Sequence, residues 1–164
     1  MFFNFLLKII SNKLFTIVRE KYGLTYDIMA EYSIYDYYDA GFLTITVTPF
    51  ADKIEQTKQE TINVLKDVKA KNVTQQEFDE VLVPLVTSLN TSVKSSNGYW
   101  LGLIGHLQNE ALPKDIACVT NIPEYYASLT LEDVFYVIDN YLNVEMSVSL
   151  TLTSGAVKKR DENK

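Results

Sequence analysis

An α+β domain, with an antiparallel-rich sheet and helices packed on one face, is predicted by three observations. Apolar residues recur at helical spacing through the first segment, from Phe3 to Ile17. They then alternate with polar residues in two successive runs, from Tyr26 to Ile34 and from Leu43 to Val47. Helical periodicity returns from Asp52 onward until a last alternating run near the C-terminus. The resulting outline is helix, hairpin, several helices, closing strand.

In the first helix Phe3, Leu6, Leu7, Ile10, Leu14 and Ile17 lie three and four residues apart, so one face is apolar to about Glu20. Gly23 suits the left-handed residue that commonly ends such a helix. Tyr26, Ile28, Ala30, Tyr32 and Ile34 alternate with Asp27, Met29, Glu31 and Ser33, the period of a strand. Turn chemistry from Asp36 to Gly41 leads into Leu43, Ile45 and Val47, which alternate with threonines until Pro49 stops the run. These two strands are expected to pair as an antiparallel hairpin.

Asp52 is placed to cap a helix that turns Ile54, Ile62, Leu65 and Val68 inward. Another helix begins at Thr74, where Glu77 completes a Thr-x-x-Glu capping box and Val73 can pack on Phe78 as a hydrophobic staple. Pro84 falls inside this helix and is expected to kink it rather than end it, because Leu82, Leu85, Leu89 and Val93 keep the period on both sides. Ser95 to Gly98 breaks the pattern before a shorter helix carrying Trp100, Leu103, Ile104 and Leu107. Pro113 and Pro123 bracket short helical turns, and Thr130 with Asp133 offers a second capping signal ahead of Val134, Val137, Ile138 and Tyr141. Met146, Val148, Leu150 and Leu152 alternate with serine and threonine as a final strand expected to return to the sheet. Residues 1–153 are thus expected to form one domain and residues 154–164 a polar, disordered tail. Three strands are few for a core served by so many helices.

A chain of 164 residues, 47% hydrophobic, can bury one real core. Its 15 basic and 21 acidic residues leave a net charge of −6, which disfavours nucleic acid as a partner. The apolar N-terminus is interrupted by Lys8, lacks a small-residue cleavage site and continues in helical register, so it reads as a folded helix rather than a signal peptide. No stretch approaches the ~20 apolar residues of a membrane span. The single cysteine, Cys118, has no partner for an internal disulfide or for metal-ligand spacing, and it sits in an apolar context that suits a buried, inert thiol.

His106 is the single histidine. A catalytic zinc takes three protein ligands and keeps a position for water, and the inverted motif H-x-x-E-H needs two imidazoles on one helix. The order His106-Leu-Gln-Asn-Glu110 lacks the second of them, so no catalytic metal site is expected in this chain. Glycine-rich phosphate loops and Gly-x-Ser-x-Gly elbows are also absent from the sequence. Arg19 and Tyr26 remain, seven residues apart across a glycine turn. One account makes them a surface arginine balancing its helix C-terminus and a tyrosine filling a strand face. The other uses what the side chains can do: both donate hydrogen bonds to the carbonyl oxygens of an extended peptide and to an oxyanion that develops on attack.

The run Leu14-Phe-Thr-Ile-Val-Arg19-Glu-Lys-Tyr-Gly-Leu-Thr-Tyr26 resembles the Leu-Arg-Glu-x-x-Gly-x-x-Tyr segment in the non-zinc half of the pitrilysin and insulin-degrading-enzyme family of zinc metallopeptidases. The strand ending at Pro49 and the helix opening at Val73 to Phe78 are similar too. Asn97 to Gln108 and Leu112 to Cys118 resemble a branch of that family that removes transit peptides from proteins imported into plastids. The resemblance implies a metallopeptidase-type α+β repeat in which Arg19 and Tyr26 hold substrate, and, because the family's opening helix follows an earlier strand, one that lacks its first strand. It implies zinc in the full-length enzyme, carried by an N-terminal half of the same polypeptide and not by this fragment, which alone is expected to be inactive. The partners it implies are precursor proteins with basic transit peptides, to which Asp27, Glu31, Asp36 and Asp39 are suited by charge. The implied location is a plastid-type stroma, with the mitochondrial matrix as the alternative. A non-catalytic core or assembly subunit of the same fold is the competing reading, and an unrelated α+β interaction domain is a third.

Overall fold

A computed structural model gives the structure of residues 2–35, 40–108 and 121–153. The chain opens with α1 (Phe2–Leu14), which runs directly into a π-helix at Phe15–Lys21. Two strands follow, β1 (Thr25–Tyr35) and β2 (Ala40–Pro49). The remaining helices are α2 (Ile54–Lys69), α3 (Gln75–Ser95), α4 (Asn97–Gln108), α5 (Ile122–Ala127) and α6 (Leu131–Tyr141). The hairpin turn at residues 36–39, the segment from Asn109 to Thr120 with Glu110, Pro113 and Cys118, and the tail from Ser154 lie outside the described residues, as does the side chain of His106.

α1 is the centre of the core. It touches β1, α2, α3 and α6, and a helix with neighbours on several sides needs a wide apolar face. Phe5, Leu6, Ile9, Ile10 and Leu14 are accordingly all buried, which broadens the stripe expected from spacing alone. Each contributes about 1.5–3 kcal/mol relative to exposure. Val64, Leu65 and Val68 of α2, Phe78 and Val81 of α3, and Val134, Val137 and Ile138 of α6 complete the cluster.

β1 and β2 pair antiparallel, with Ile28 opposite Val47 and Tyr32 opposite Leu43. Ile28, Ala30, Leu43 and Ile45 pack on the helical core, whereas Asp27, Met29, Glu31, Thr44, Thr46 and Thr48 face outward. Helices therefore cover one face of the sheet, in keeping with the expected α+β class.

Both capping boxes form. Thr74 Oγ1 accepts from the Glu77 N–H while Glu77 Oε2 accepts from the Thr74 N–H, and Thr130 and Asp133 repeat the exchange at α6. Val73 and Phe78 are both buried beside the first box. α3 continues through Pro84, and a single residue, Ser96, separates it from α4.

Two expectations are corrected. Asp52 does not cap α2: the N-cap position belongs to Lys53, with no side-chain hydrogen bond, and Asp52 is exposed. Residues 146–152 do not return to the sheet, which pairs only β1 with β2 among the described residues. Met146, Val148, Leu150 and Leu152 are 80, 96, 82 and 86% exposed. Alternation supplies a strand-like pattern, but a strand also needs a free edge within reach, and the chain leaves the core after Leu142 and Val144.

Candidate functional site

The π-helix is the first device that shapes the region around Arg19. Its wider turns are read from the backbone: the Tyr22 N–H donates to the Ile17 carbonyl five residues back at 3.2 Å, and the Leu24 N–H reaches Val18 six residues back at 3.0 Å. The changed register buries Val18 completely and leaves Ile17, the residue expected inward, only partly covered. Gly23 then takes φ +57°, the left-handed conformation expected of it, and its N–H donates to the Arg19 carbonyl at 3.0 Å. Nothing lies within 4 Å of a Cβ built there, so backbone conformation and not crowding selects glycine.

A β-bulge is the second device. Thr25 pairs with Pro49 and Asp27 with Thr48, so two steps along β1 match one along β2 and Tyr26 is the additional residue. Regular alternation would turn Tyr26 to the core side with Ile28. The bulge releases it, and Tyr26 is 78% exposed. Thr25 fastens the irregularity from beneath: its buried hydroxyl lies 2.7 Å from the carbonyl oxygens of both Asp27 and Thr48 and shares its one proton between them.

Together these devices bring Arg19 and Tyr26 side by side. The guanidinium carbon of Arg19 lies 5.1 Å from the centre of the Tyr26 ring and 4.6 Å from that of Phe15, within cation–π range. Each such contact is worth about 0.5–1 kcal/mol at an exposed position. Among the described residues, neither the guanidinium nor the Tyr26 hydroxyl has a hydrogen-bonding or ionic partner. The arrangement is a half-buried cation held by rings, beside an exposed phenol, with its donors unspent. It can donate several hydrogen bonds to carbonyl or carboxylate oxygens. Sequence reasoning missed Phe15, although its position four residues before Arg19 was the available signal.

Two concavities lie elsewhere on the surface of the described residues. A cleft of about 140 Å³ between α1 and α3 is lined by Ile9, Lys13, Glu77 and Glu80 among others, and an open polar groove follows Thr87, Asn90, Thr91 and Lys94 along α3. Neither includes Arg19 or Tyr26. In the first, burial pushes the Glu77 carboxyl up, but hydrogen bonds from Lys13 and Thr74 and the Lys13 charge outweigh it and hold the group below its ordinary value. Burial raises the phenols of Tyr99, Tyr125 and Tyr126. The described residues contain no group of three or more His, Cys, Asp or Glu side chains that could hold a metal ion, so they do not fit a zinc site. No described helix is long and apolar enough to cross a membrane.

Comparison with known proteins places this geometry in a family. Residues 1–83 match the family model described as the peptidase M16 inactive domain. The chain is 34% identical over 145 residues to the chloroplastic stromal processing peptidase of Oryza sativa subsp. indica, covering 88% of this chain and 12% of that protein. Its identity to the stromal processing peptidase of Pisum sativum is 35% over 127 residues, or 77% of this chain and 10% of the relative. The Arabidopsis thaliana protein is 32% identical over 141 residues. The chain thus spans about one eighth of the length of these relatives. A conserved protein from Enterococcus faecalis V583 shares the fold at a TM-score of 0.58 and 18% identity, over 82% of this chain and 32% of that one. With residues 1–83, Arg19 and Tyr26 among them, matched by the family model, and most of the chain matched by the stromal processing peptidases, this chain belongs to the peptidase M16 family as one of its inactive domains.

Proposed function

We propose that this domain is the substrate-holding part of a zinc metalloendopeptidase that removes basic transit peptides from precursor proteins in a plastid-type stroma. The observation that carries the reading is the juxtaposition of a half-buried Arg19 and an exposed Tyr26, with donors that no described residue takes up, in a peptidase-family domain that offers no metal-ligand group of its own among the described residues. Zinc would be held by an N-terminal half of the same polypeptide, where it would supply the activation of water. This chain's residues bind and orient. Arg19 and Tyr26 donate to the backbone carbonyls of an extended peptide and to the oxygen that gains charge during attack, while the outward carboxylates of Asp27 and Glu31 meet its basic side chains. The names of the relatives and the net charge of −6 support this choice of substrate.

Tyr26→Phe in the complete polypeptide tests the reading, because it deletes one exposed hydroxyl and nothing from the core. Turnover of a precursor protein is expected to fall about 100-fold, by analogy with the loss of one oxyanion donor, at an unchanged melting temperature. Wild-type kcat and KM in this variant would sink the role assigned to the hydroxyl. A non-catalytic assembly role is the second reading, favoured by the exposed apolar side chains Leu101 and Ile104 on α4. It predicts that the complete gene product carries no H-x-x-E-H.

A further inference from the structure

We propose that Phe15 is a positioning residue for the Arg19 guanidinium, an inference that rests on the substrate-holding reading of Arg19. Phe15 opens the π-helix one turn before Arg19 and is 38% exposed, while its neighbours Leu14 and Val18 are fully buried in the core. A large apolar ring left at the surface covers little of the core. What it faces is Arg19, whose guanidinium carbon lies 4.6 Å from the ring centre. Arginine is a long side chain with many rotamers, and among the described residues Arg19 has no carboxylate or carbonyl to fix it. The two rings are its restraints, and they differ in kind. Tyr26 is 78% exposed and is itself assigned to the substrate, so it cannot serve as a fixed support. Phe15 is rooted in a helix continuous with α1, the centre of the core. It restricts the guanidinium through the negative face of its ring and leaves the N–H donors unused.

This makes Phe15 different from a packing residue: its contribution must pass through Arg19. The test uses the complete polypeptide and a purified plastid precursor protein, with kcat and KM measured separately. Phe15→Leu keeps apolar volume and removes the ring, and it is expected to lower kcat about 3- to 10-fold with little change in KM. Phe15→Met serves as a second aliphatic variant if Phe15→Leu folds poorly, and Phe15→Trp, which keeps a ring face, is expected to restore kcat. In an Arg19→Ala background Phe15→Leu should add no further loss. Two results would overturn the proposal: wild-type kcat in both aliphatic variants while Arg19→Ala is impaired, or a Phe15→Leu loss of the same size with and without Arg19. Wild-type cleavage by Arg19→Ala would remove the reading of Arg19 itself, and the role of Phe15 with it.

Discussion

Tyr26 is open to solvent while Thr25, beside it, is buried. The buried Thr25 hydroxyl holds two carbonyl oxygens at the one place where the register of the hairpin slips, and the phenol beside it is turned to solvent. Thr25→Val keeps shape and β-propensity but leaves those oxygens without their shared donor. A buried acceptor deprived of its partner costs about 1–3 kcal/mol, so the urea midpoint is expected to fall accordingly. On the proposed function, turnover by the complete polypeptide should fall as well, because the bulge that exposes Tyr26 has lost its fastening. Unchanged stability would show that water or a regular register satisfies the site equally well. In the proposed role Thr25 would act on substrate only through Tyr26, and stability measured alongside turnover separates the two.

The elements divide by whether their signals are local. Capping boxes at Thr74 and Thr130 and the left-handed Gly23 were legible because each is written within a few residues, and all three form as expected. The hairpin was legible from alternation. The π-helix was not: seven residues with wider turns leave too short a pattern to tell from an α-helix, so Ile17 was expected inward where Val18 is buried. The bulge was hidden for a similar reason, since a tyrosine suits either face of a strand and nothing in the alternation marks Tyr26 as additional. Arg19 and Tyr26 were therefore legible as a pair, but the geometry that joins them was not. The run from Met146 to Leu152 shows the opposite failure, a clear local pattern without the distant partner a strand requires. Its amides have no ladder to protect them among the described residues. In hydrogen-exchange measurements on this chain, residues 147–152 should exchange at nearly the rate of an unstructured peptide, while Ile9 to Leu14 are protected. Slow exchange in the C-terminal run would reveal a pairing that the hairpin does not provide.

At the scale of the whole molecule, one cation joins three helices. Lys13 of α1 is only 9% exposed, and its Nζ lies 2.7 Å from Glu77 Oε1 of α3 and 3.4 Å from Asp67 Oδ2 of α2. Glu77 has a second task, since its other oxygen accepts the Thr74 N–H at 2.8 Å and so starts α3. Protonating this carboxyl weakens a helix cap and an interhelical pair together, and its folded-state pKa accordingly lies below the ordinary value of 4.5. The sign of the linkage follows. A depressed carboxylate contributes stability that is fully present above its unfolded pKa and is lost as pH falls through the folded one. Glu77→Gln is expected to destabilise the protein by about 1–3 kcal/mol at pH 7, because a nearly buried ammonium is left with the more distant Asp67. The difference between the urea midpoints of wild type and variant should shrink as pH drops below 4.5, where the wild-type carboxyl progressively takes up the proton that the amide mimics. A difference that stays constant from pH 7 to pH 3 would mean that the Glu77 charge contributes nothing and that the side chain acts by packing alone.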